Sequence, residues 1–373
     1  MFTLNRHLHY FLNRELSELY MTVALRTFAL SLISIFIPLY LLNLGYSLVD
    51  VLLFYITFCV LHSVFSYFAA KMSLRIGLKH SIAMSMPFLI LFYILLYTLT
   101  PYNWPLSLLA LVAAVQNSLF WVAFHMDFTK FSTKKVRGEE FSMLRIITSV
   151  LNVIGPMVGA VIISFLSFHY LFIFVSSLLI ISLIPLFYSK DIRIRHEFSL
   201  EKMVKTSSLK NLVVFMGSGA EYGAALVVWP LFIFLIVGTY ISLGIITSLA
   251  TFLSLITVYL VGRLCDRFDR RRILKFGSVA HSLGWFLKSI ASTGPQVVLI
   301  NSFSGIVDSF KDIPYNTMVY DKASKKSMVE FIVFREIALH IGKIIFFALI
   351  MLLVVLSRGL ILAGLASLTY LLF

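Results

Sequence analysis

Asn301, Ser304, Asp308, Lys311, Asp312 and Tyr315 recur in steps of three and four, with Lys311 and Asp312 adjacent. On an α-helix that spacing gathers them on one face. The segment that carries them, 296–319, is apolar enough to cross a bilayer, and Asp308 lies roughly 18 Å from its nearer end at about 1.5 Å per residue. A carboxylate at that depth is either protonated or paired. Lys311 is its i+3 neighbour and Asp312 adds a second acid. The chemistry on offer is proton coupling or cation binding; the structural alternative is a self-neutralised Lys–Asp cluster that fixes helix packing. Glu221 is another deep acid, in the segment 210–237, with no base near it in sequence. It either pairs with Arg26 from the segment 20–43 or gains and loses a proton.

The other costly polar groups cluster in few places. Gln116, Asn117, Trp121 and His125 share one apolar segment, Tyr222 and Trp229 another, while Asn152, Lys288, His340 and Lys343 are scattered. Trp121, Tyr222 and Trp229 offer an apolar wall to a solute or simply pack the core. Lys288 sits near a segment end and is able to snorkel, whereas the deeper Lys343 calls for a carboxylate. His125 and Asp127 are too few for a metal site and read as an interfacial anchor. Cys59 falls in the second span and Cys265 in a loop, so neither a disulfide nor a metal site is expected. There is no Ser–His–Asp grouping and no Gly-x-x-x-x-Gly-Lys-Ser/Thr loop. No enzyme activity, cofactor or metal is therefore expected, and the energy source is an ion gradient, with protons favoured by the buried acids.

These residues are carried by helices that must lie in a membrane. Hydrophobic residues make up 60% of the 373 and charged residues 13%, with 35 phenylalanines; the mean hydropathy is +0.95. A soluble domain is about 45–50% apolar and about 25% charged. Twelve spans are expected: 20–43, 47–70, 81–99, 105–127, 143–167, 169–188, 210–237, 240–261, 274–292, 296–319, 329–356 and 358–373. Ser47 and Asp50 read as a capping pair that opens the second. Tight turns alternate with basic loops, and of the 31 Lys and Arg residues only Arg358 falls in a loop on the other side. That asymmetry puts the basic loops and both termini in the cytoplasm of a plasma or inner membrane. The net charge of +14 is thus a topology signal and not a nucleic-acid footprint, with anionic lipid headgroups the partners it implies. The last segment, Gly359–Phe373, reaches only about 22 Å; either the bilayer adapts to it or the chain continues.

A cytoplasmic punctuation occurs twice. Glu140-Phe141 followed by Arg145 recurs as Glu330-Phe331 followed by Arg335, each after a lysine-bearing loop (Lys134-Lys135 and Lys325-Lys326). A basic loop also recurs, as Ala70-Lys71-Met72-Ser73-Leu74-Arg75-Ile76-Gly77-Leu78-Lys79 and as Gly262-Arg263-Leu264-Cys265-Asp266-Arg267-Phe268-Asp269-Arg270-Arg271. With the two halves and the span count, this resembles the major facilitator superfamily over essentially the whole chain. That family's signature reads Gly-x-x-x-Asp-Arg-x-Gly-Arg-Arg; here Asp269 replaces its glycine and Leu74 replaces the first aspartate. Gly155-Pro156-Met157-Val158-Gly159-Ala160 is similar to the family's antiporter segment Gly-Pro-x-x-Gly-Gly, although Ala160, Leu151 and Ser142 stand where glycines are expected.

The resemblance implies an all-α integral membrane fold of two pseudo-symmetric six-helix bundles, 20–188 and 210–373. A cytoplasmic amphipathic segment (1–19) precedes them and a cytoplasmic linker (189–209) joins them. It implies a cavity lined by spans one, four, seven and ten, hence Arg26, Gln116, Asn117, Trp121, Glu221, Tyr222, Trp229, Asn301, Asp308, Lys311 and Asp312. It implies a cytoplasmic gate in which Gly262, Asp266, Arg267 and Arg271 meet Glu140 and Arg145 across the halves, with Glu330 and Arg335 as the matching set. Asp266 is expected at helix N-terminal amides or on an arginine. Gly155, Pro156 and Gly159 would serve close helix packing and a bend. The expected function is alternating-access transport of a small organic solute, amphipathic or cationic, by proton-coupled export. Proton-coupled uptake is the competing direction, and a non-transporting sensor, scramblase or membrane enzyme is the reading from another class. Two homologous halves already enclose a cavity, so a monomer suffices.

Overall fold

The structure is a computed structural model that describes residues 14–187, 191, 196–325, 327–353 and 355–373. Most of the amphipathic segment read over 1–19, part of the linker and Lys326 lie outside the described residues. All regular structure among the described residues is helical. The first half comprises α1 (Arg14–Ser31), α2 (Ile37–Asn43), α3 (Leu48–Ile76), α4 (Leu78–Tyr97), α5 (Leu99–Tyr102), α6 (Leu106–Phe131), α7 (Arg137–Phe165) and α8 (Phe168–Ile181). A short helix, α9 (Leu200–Thr206), lies in the connection. The second half comprises α10 (Leu209–Gly223), α11 (Trp229–Val237), α12 (Tyr240–Arg267), α13 (Arg270–Ser289), α14 (Gly294–Lys325), α15 (Met328–Leu353) and α16 (Leu356–Ser367).

Eight helical stretches are long and apolar enough to cross a membrane, and two more, Phe168–Ile181 and Leu356–Leu372, are apolar but shorter. Helices α13 and α14 have the length, but their charged side chains keep them out of that set. Of those charges Lys288, Lys311 and Asp312 are buried toward the site described below, whereas Arg271, Arg272 and Lys275 are exposed. Several helices run past their expected ends. α12 continues to Arg267, so Cys265 is a buried helical residue and not a loop residue.

Two of the spans that border the cavity are broken, each at a proline. Pro38 has no N–H for the carbonyl of Ser34, and its ring crowds that carbonyl. The chain accordingly leaves α1 at Ser31, makes a tight turn over Ser34–Phe36 and restarts at Ile37. Pro230 acts likewise on the carbonyl of Leu226, and a widened π turn, Ala224–Val228, separates α10 from α11 directly after Glu221 and Tyr222. Ser47 and Asp50 form a reciprocal capping box at the start of α3.

The halves meet along two seams, α7 against α12 and α3 against α15. Small residues set the approach. A Cβ on Gly262 would lie 2.1 Å from Ser142 Oγ across the first seam. Within the first half, a Cβ on Gly159 would lie 1.8 Å from the carbonyl oxygen of Leu32, where α1 is broken. Gly159→Leu should therefore lower the thermal unfolding temperature in detergent, at a cost of about 1–3 kcal/mol from overpacking. An unchanged unfolding temperature would show that the α1–α7 contact does not constrain the bundle.

Candidate functional site

Glu221 anchors the central cluster, from the last turn of α10. Its Oε2 accepts from Lys311 Nζ at 2.9 Å, and its Oε1 accepts from His281 Nδ1 at 2.6 Å and Trp285 Nε1 at 3.1 Å. Asp308 lies 3.5 Å from the same Lys311 Nζ and 3.6 Å from His281 Nε2. It also accepts from Arg145 Nη2 at 3.3 Å, across the seam from α7. Arg145 Nε stands 3.1 Å from Asp312, whose carboxylate also accepts from Asn316 Nδ2 at 2.9 Å. A desolvated charge is tolerated only when paired and hydrogen-bonded, and each of the three carboxylates here meets a cation.

A cavity of about 350 Å³ opens above this cluster. Its walls come from α7, α10, α11, α12, α13, α14, the widened turn between α10 and α11, and Ile35 in the break of the first span. Trp229 donates to Asn301 Oδ1 at 2.9 Å, and Asn301 in turn donates to the Ile246 carbonyl at 3.2 Å, which fixes the indole as one wall. Lys288 places Nζ 4.1 Å from the ring centre of Trp285 and 4.9 Å from that of Trp229. It is buried and faces the cavity, where the sequence suggested a snorkelling lysine. Among the described residues no carboxylate lies within ion-pair distance of it. A larger groove of about 450 Å³ runs along α7 and α12. Its lining of exposed Ile154, Met157 and Phe252 offers no reactive chemistry, and it lies on the outside of the bundle.

The residues expected to converge divide into separate sets. Glu221, Tyr222, Trp229, Asn301, Asp308 and Lys311 line the cavity, and Asp312 joins through Arg145. Arg26 does not reach Glu221. Its guanidinium covers the Phe120 ring at 3.6 Å and Nη2 donates to Gln116 at 3.4 Å. Gln116, Asn117 and Trp121 likewise stand apart from this cavity, Asn117 against His62 and Trp121 stacked on His125. His125 is no interfacial anchor: it is buried between the halves, bonded to Arg335 at 3.0 Å and to the Tyr320 hydroxyl at 2.9 Å. Lys343 has no carboxylate at ion-pair distance among the described residues, contrary to expectation. Sequence reasoning missed His281, Trp285 and Arg145 as cavity groups. The spacing of His281, Trp285 and Lys288, four and three residues apart, was the available signal for one face of α13.

At the end of the bundle that carries the basic loops, Asp266 is, among the described residues, the one member of the expected gate that joins a ring of charges across the halves. Asp266, near the end of α12, accepts from the backbone N–H groups of Gly138 at 3.2 Å and Glu139 at 2.8 Å in the first turn of α7. Unpaired amides and the helix dipole favour a carboxylate there. Arg270 Nη2 donates to Asp266 at 3.0 Å and its Nη1 pairs with Asp321, which also accepts from Arg137 Nη1 at 2.7 Å. Arg137, Arg270 and Asp321 therefore do what the sequence reading gave to Arg267 and Arg271, which are exposed. Glu140 accepts from the Thr133 amide at 2.7 Å and does not meet Asp266 through its side chain. The matching acids on the other side hold the connection between the halves. Glu330 accepts from His196 at 2.8 Å, and Asp191 accepts from the amides of Lys79 at 3.1 Å and His80 at 2.8 Å, at the start of α4. Asp191 thus serves helix amides beside the loop in which Leu74 replaces the signature aspartate.

A family model described as Major Facilitator Superfamily matches residues 19–243. An uncharacterized Bacillus subtilis protein, YqgE, is 22% identical over 365 residues, covering 93% of this chain and 84% of its own. The fold is similar to that of the Escherichia coli fucose:proton symporter FucP, with a TM-score of 0.71 at 11% identity over 95% of this chain and 96% of that one. The human organic anion transporter MFSD10 aligns with a TM-score of 0.72 at 11% identity over 96% and 98%.

The ring at the basic end gives a direct test. Asp266→Asn removes the charge that Arg270 and the α7 amides hold, so the seam beside the buried Cys265 should loosen. In a Cys59→Ser background, maleimide labelling of Cys265 should accelerate several-fold. An unchanged labelling rate would mean that the ring does not hold the halves together.

Proposed function

This chain belongs to the Major Facilitator Superfamily and is a multi-pass secondary transporter; from that premise we propose that it exports a small organic solute bearing an anionic group in exchange for protons. In this reading the membrane is the plasma or inner membrane, both termini are cytoplasmic, and the two halves alternate access to the cavity bordered by Glu221 and Lys288. The solute class rests on one observation. Glu221, Asp308 and Asp312 are each paired with a cation, whereas the Lys288 ammonium meets the Trp229 and Trp285 rings and, among the described residues, no carboxylate at ion-pair distance. The spare charge of the cavity is positive, which favours an anion and disfavours the cationic solute suggested by the sequence. The indoles supply an apolar surface for the rest of the molecule.

Proton coupling is supported by Glu221, His281, Lys311 and Asp308, which share protons and charge within one buried cluster beside that ammonium. A solute anion arriving near Lys288 and Lys311 competes with the carboxylates for the same cations, and a proton on Glu221 or Asp308 releases them. Export is supported by the Gly155-Pro156…Gly159 segment, whose glycines bring α7 against the broken first span.

Proteoliposomes with an imposed pH gradient and a panel of organic anions test this. The gradient direction that drives accumulation distinguishes export from uptake. Lys288→Gln should raise KM about tenfold or more for the transported anion, the effect of losing a hydrogen bond to a charged group worth about 1.5–3 kcal/mol. An unchanged KM would remove the anion assignment. Glu221→Gln should abolish uphill accumulation while solute exchange at equal pH persists. Undiminished uphill movement would remove Glu221 from the coupling.

A further inference from the structure

A second buried cluster lies on the other seam, and none of its members lines the solute cavity. His62 comes from α3, and Glu336 and His340 come from successive turns of α15. The three are 0%, 3% and 2% exposed, and one ligand atom from each lies within 4.8 Å of the others. The two imidazoles stack with ring centres 3.7 Å apart. Neither ring's Nε2 has a hydrogen-bond partner among the described residues. A buried polar atom left unpaired is expensive, and two of them facing one carboxylate call for an explanation.

We propose that His62, Glu336 and His340 form a binding site for a divalent transition-metal ion of the zinc type, bridging the two halves of the chain. Each ligand is held by its other polar atom, the pattern that orients metal-binding side chains. His340 Nδ1 stands 2.9 Å from the backbone carbonyl of Glu336, which can only accept. Nδ1 therefore carries the proton and Nε2 presents its lone pair. His62 Nδ1 is 3.3 Å from the Asn117 side-chain amide. The nearer amide atom is Nδ2, a donor, so in this arrangement Nδ1 accepts and Nε2 carries the proton toward Glu336. Metal binding through His62 Nε2 requires the Asn117 amide to turn its oxygen to the ring and that proton to leave. Arg335 Nη1 holds Glu336 Oε1 at 2.5 Å, leaving Oε2 directed at His62 Nε2, 3.4 Å away.

Two imidazoles and a carboxylate make a complete protein donor set for zinc with a fourth position left for water. Arg335 is neutralised by Glu336 within the cluster. An opposing charge, Lys343, lies one turn further along α15; it is only partly buried, and its long stem lets the ammonium withdraw. Four-coordinate zinc with bonds of about 2.0–2.1 Å sets its donor atoms about 3.3 Å apart, close to the 3.4 Å between His62 Nε2 and Glu336 Oε2. One ion would then tie His62 on α3 to Glu336 and His340 on α15, so that it restrains the relative movement of the halves. That restraint, unlike the site itself, rests on the alternating-access reading.

Isothermal titration of the untagged, full-length protein in detergent with Zn2+, and with Co2+ as a spectroscopic probe, tests the site. One ion per chain should bind, with the visible absorption of four-coordinate Co2+. Affinity should fall at least tenfold in His62→Asn and in His340→Gln. Both variants are near in volume to the parent, and an unaltered unfolding temperature without metal shows that they fold. Zn2+ should then raise the unfolding temperature of the parent and not that of the variants. Parent-like binding in both variants, or no binding by the parent, overturns the site. Binding that leaves solute exchange as fast as before overturns the restraint alone. The titration reads the site even if no anion is transported.

Discussion

A charge inside a membrane is costly unless the protein supplies it with polar partners, and in this chain much of the ion pairing crosses between the halves. Arg145 belongs to α7 of the first half, and its carboxylates, Asp308 and Asp312, belong to α14 of the second. Arg137 and Asp321 repeat the arrangement at the basic end. The Asp266 carboxylate, near the end of α12 in the second half, receives amides that begin α7 of the first. Close backbone approach at Gly262 lets these groups meet at bonding distance.

This constraint explains why the charged residues occupy so few helices. α13 and α14 carry His281, Lys288, Asp308, Lys311, Asp312 and Asp321, and they are long helices that fail a simple test of apolarity. Away from the basic end these groups face inward, and among the described residues all but Lys288 are paired, while exposed apolar side chains such as Val279, Leu283 and Leu299 face outward. Pairing across a seam also ties electrostatics to movement. If the halves part at one end, the ions there must exchange protein partners for water, and a buried pair with no such access must travel with its helices. The Asp266 ring, at a helix end, belongs to the first kind. The Glu221–His281–Lys311 set, made within the second half, belongs to the second.

The depth and class of many of these residues were legible in one dimension. The three-and-four spacing of Asn301, Ser304, Asp308, Lys311 and Tyr315 followed from helix periodicity alone. The Ser47–Asp50 cap followed from local chemistry. The Gly262–Arg271 stretch marked the basic end, although Arg270, rather than Arg267 or Arg271, reaches Asp266, because the extended turn at Phe268 and Asp269 between α12 and α13 brings Arg270 back to it while Arg267 and Arg271 stay exposed. Arg26 was matched with Glu221 by complementary charge, and that inference failed: the Phe120 ring and Gln116 lie closer to it, and Lys311 and His281 already occupy the carboxylate. The breaks at Pro38 and Pro230 follow from missing N–H groups, but where a broken span turns depends on what packs against it, as Gly159 does at Leu32.

The sequence by itself determined that the chain is helical, lies in a membrane, repeats a loop signature in its two halves and keeps acids and bases at depth, because hydropathy, period and loop charge are local quantities. Only the tertiary structure decided which acid meets which base. It set His281 on Glu221, left Lys288 facing a cavity between two indoles, moved Arg145 from the gate to the centre and stacked His62 on His340. Those outcomes depend on the rotation of each helix about its axis and on the approach of the two halves, and both are set by contacts between residues far apart in the chain.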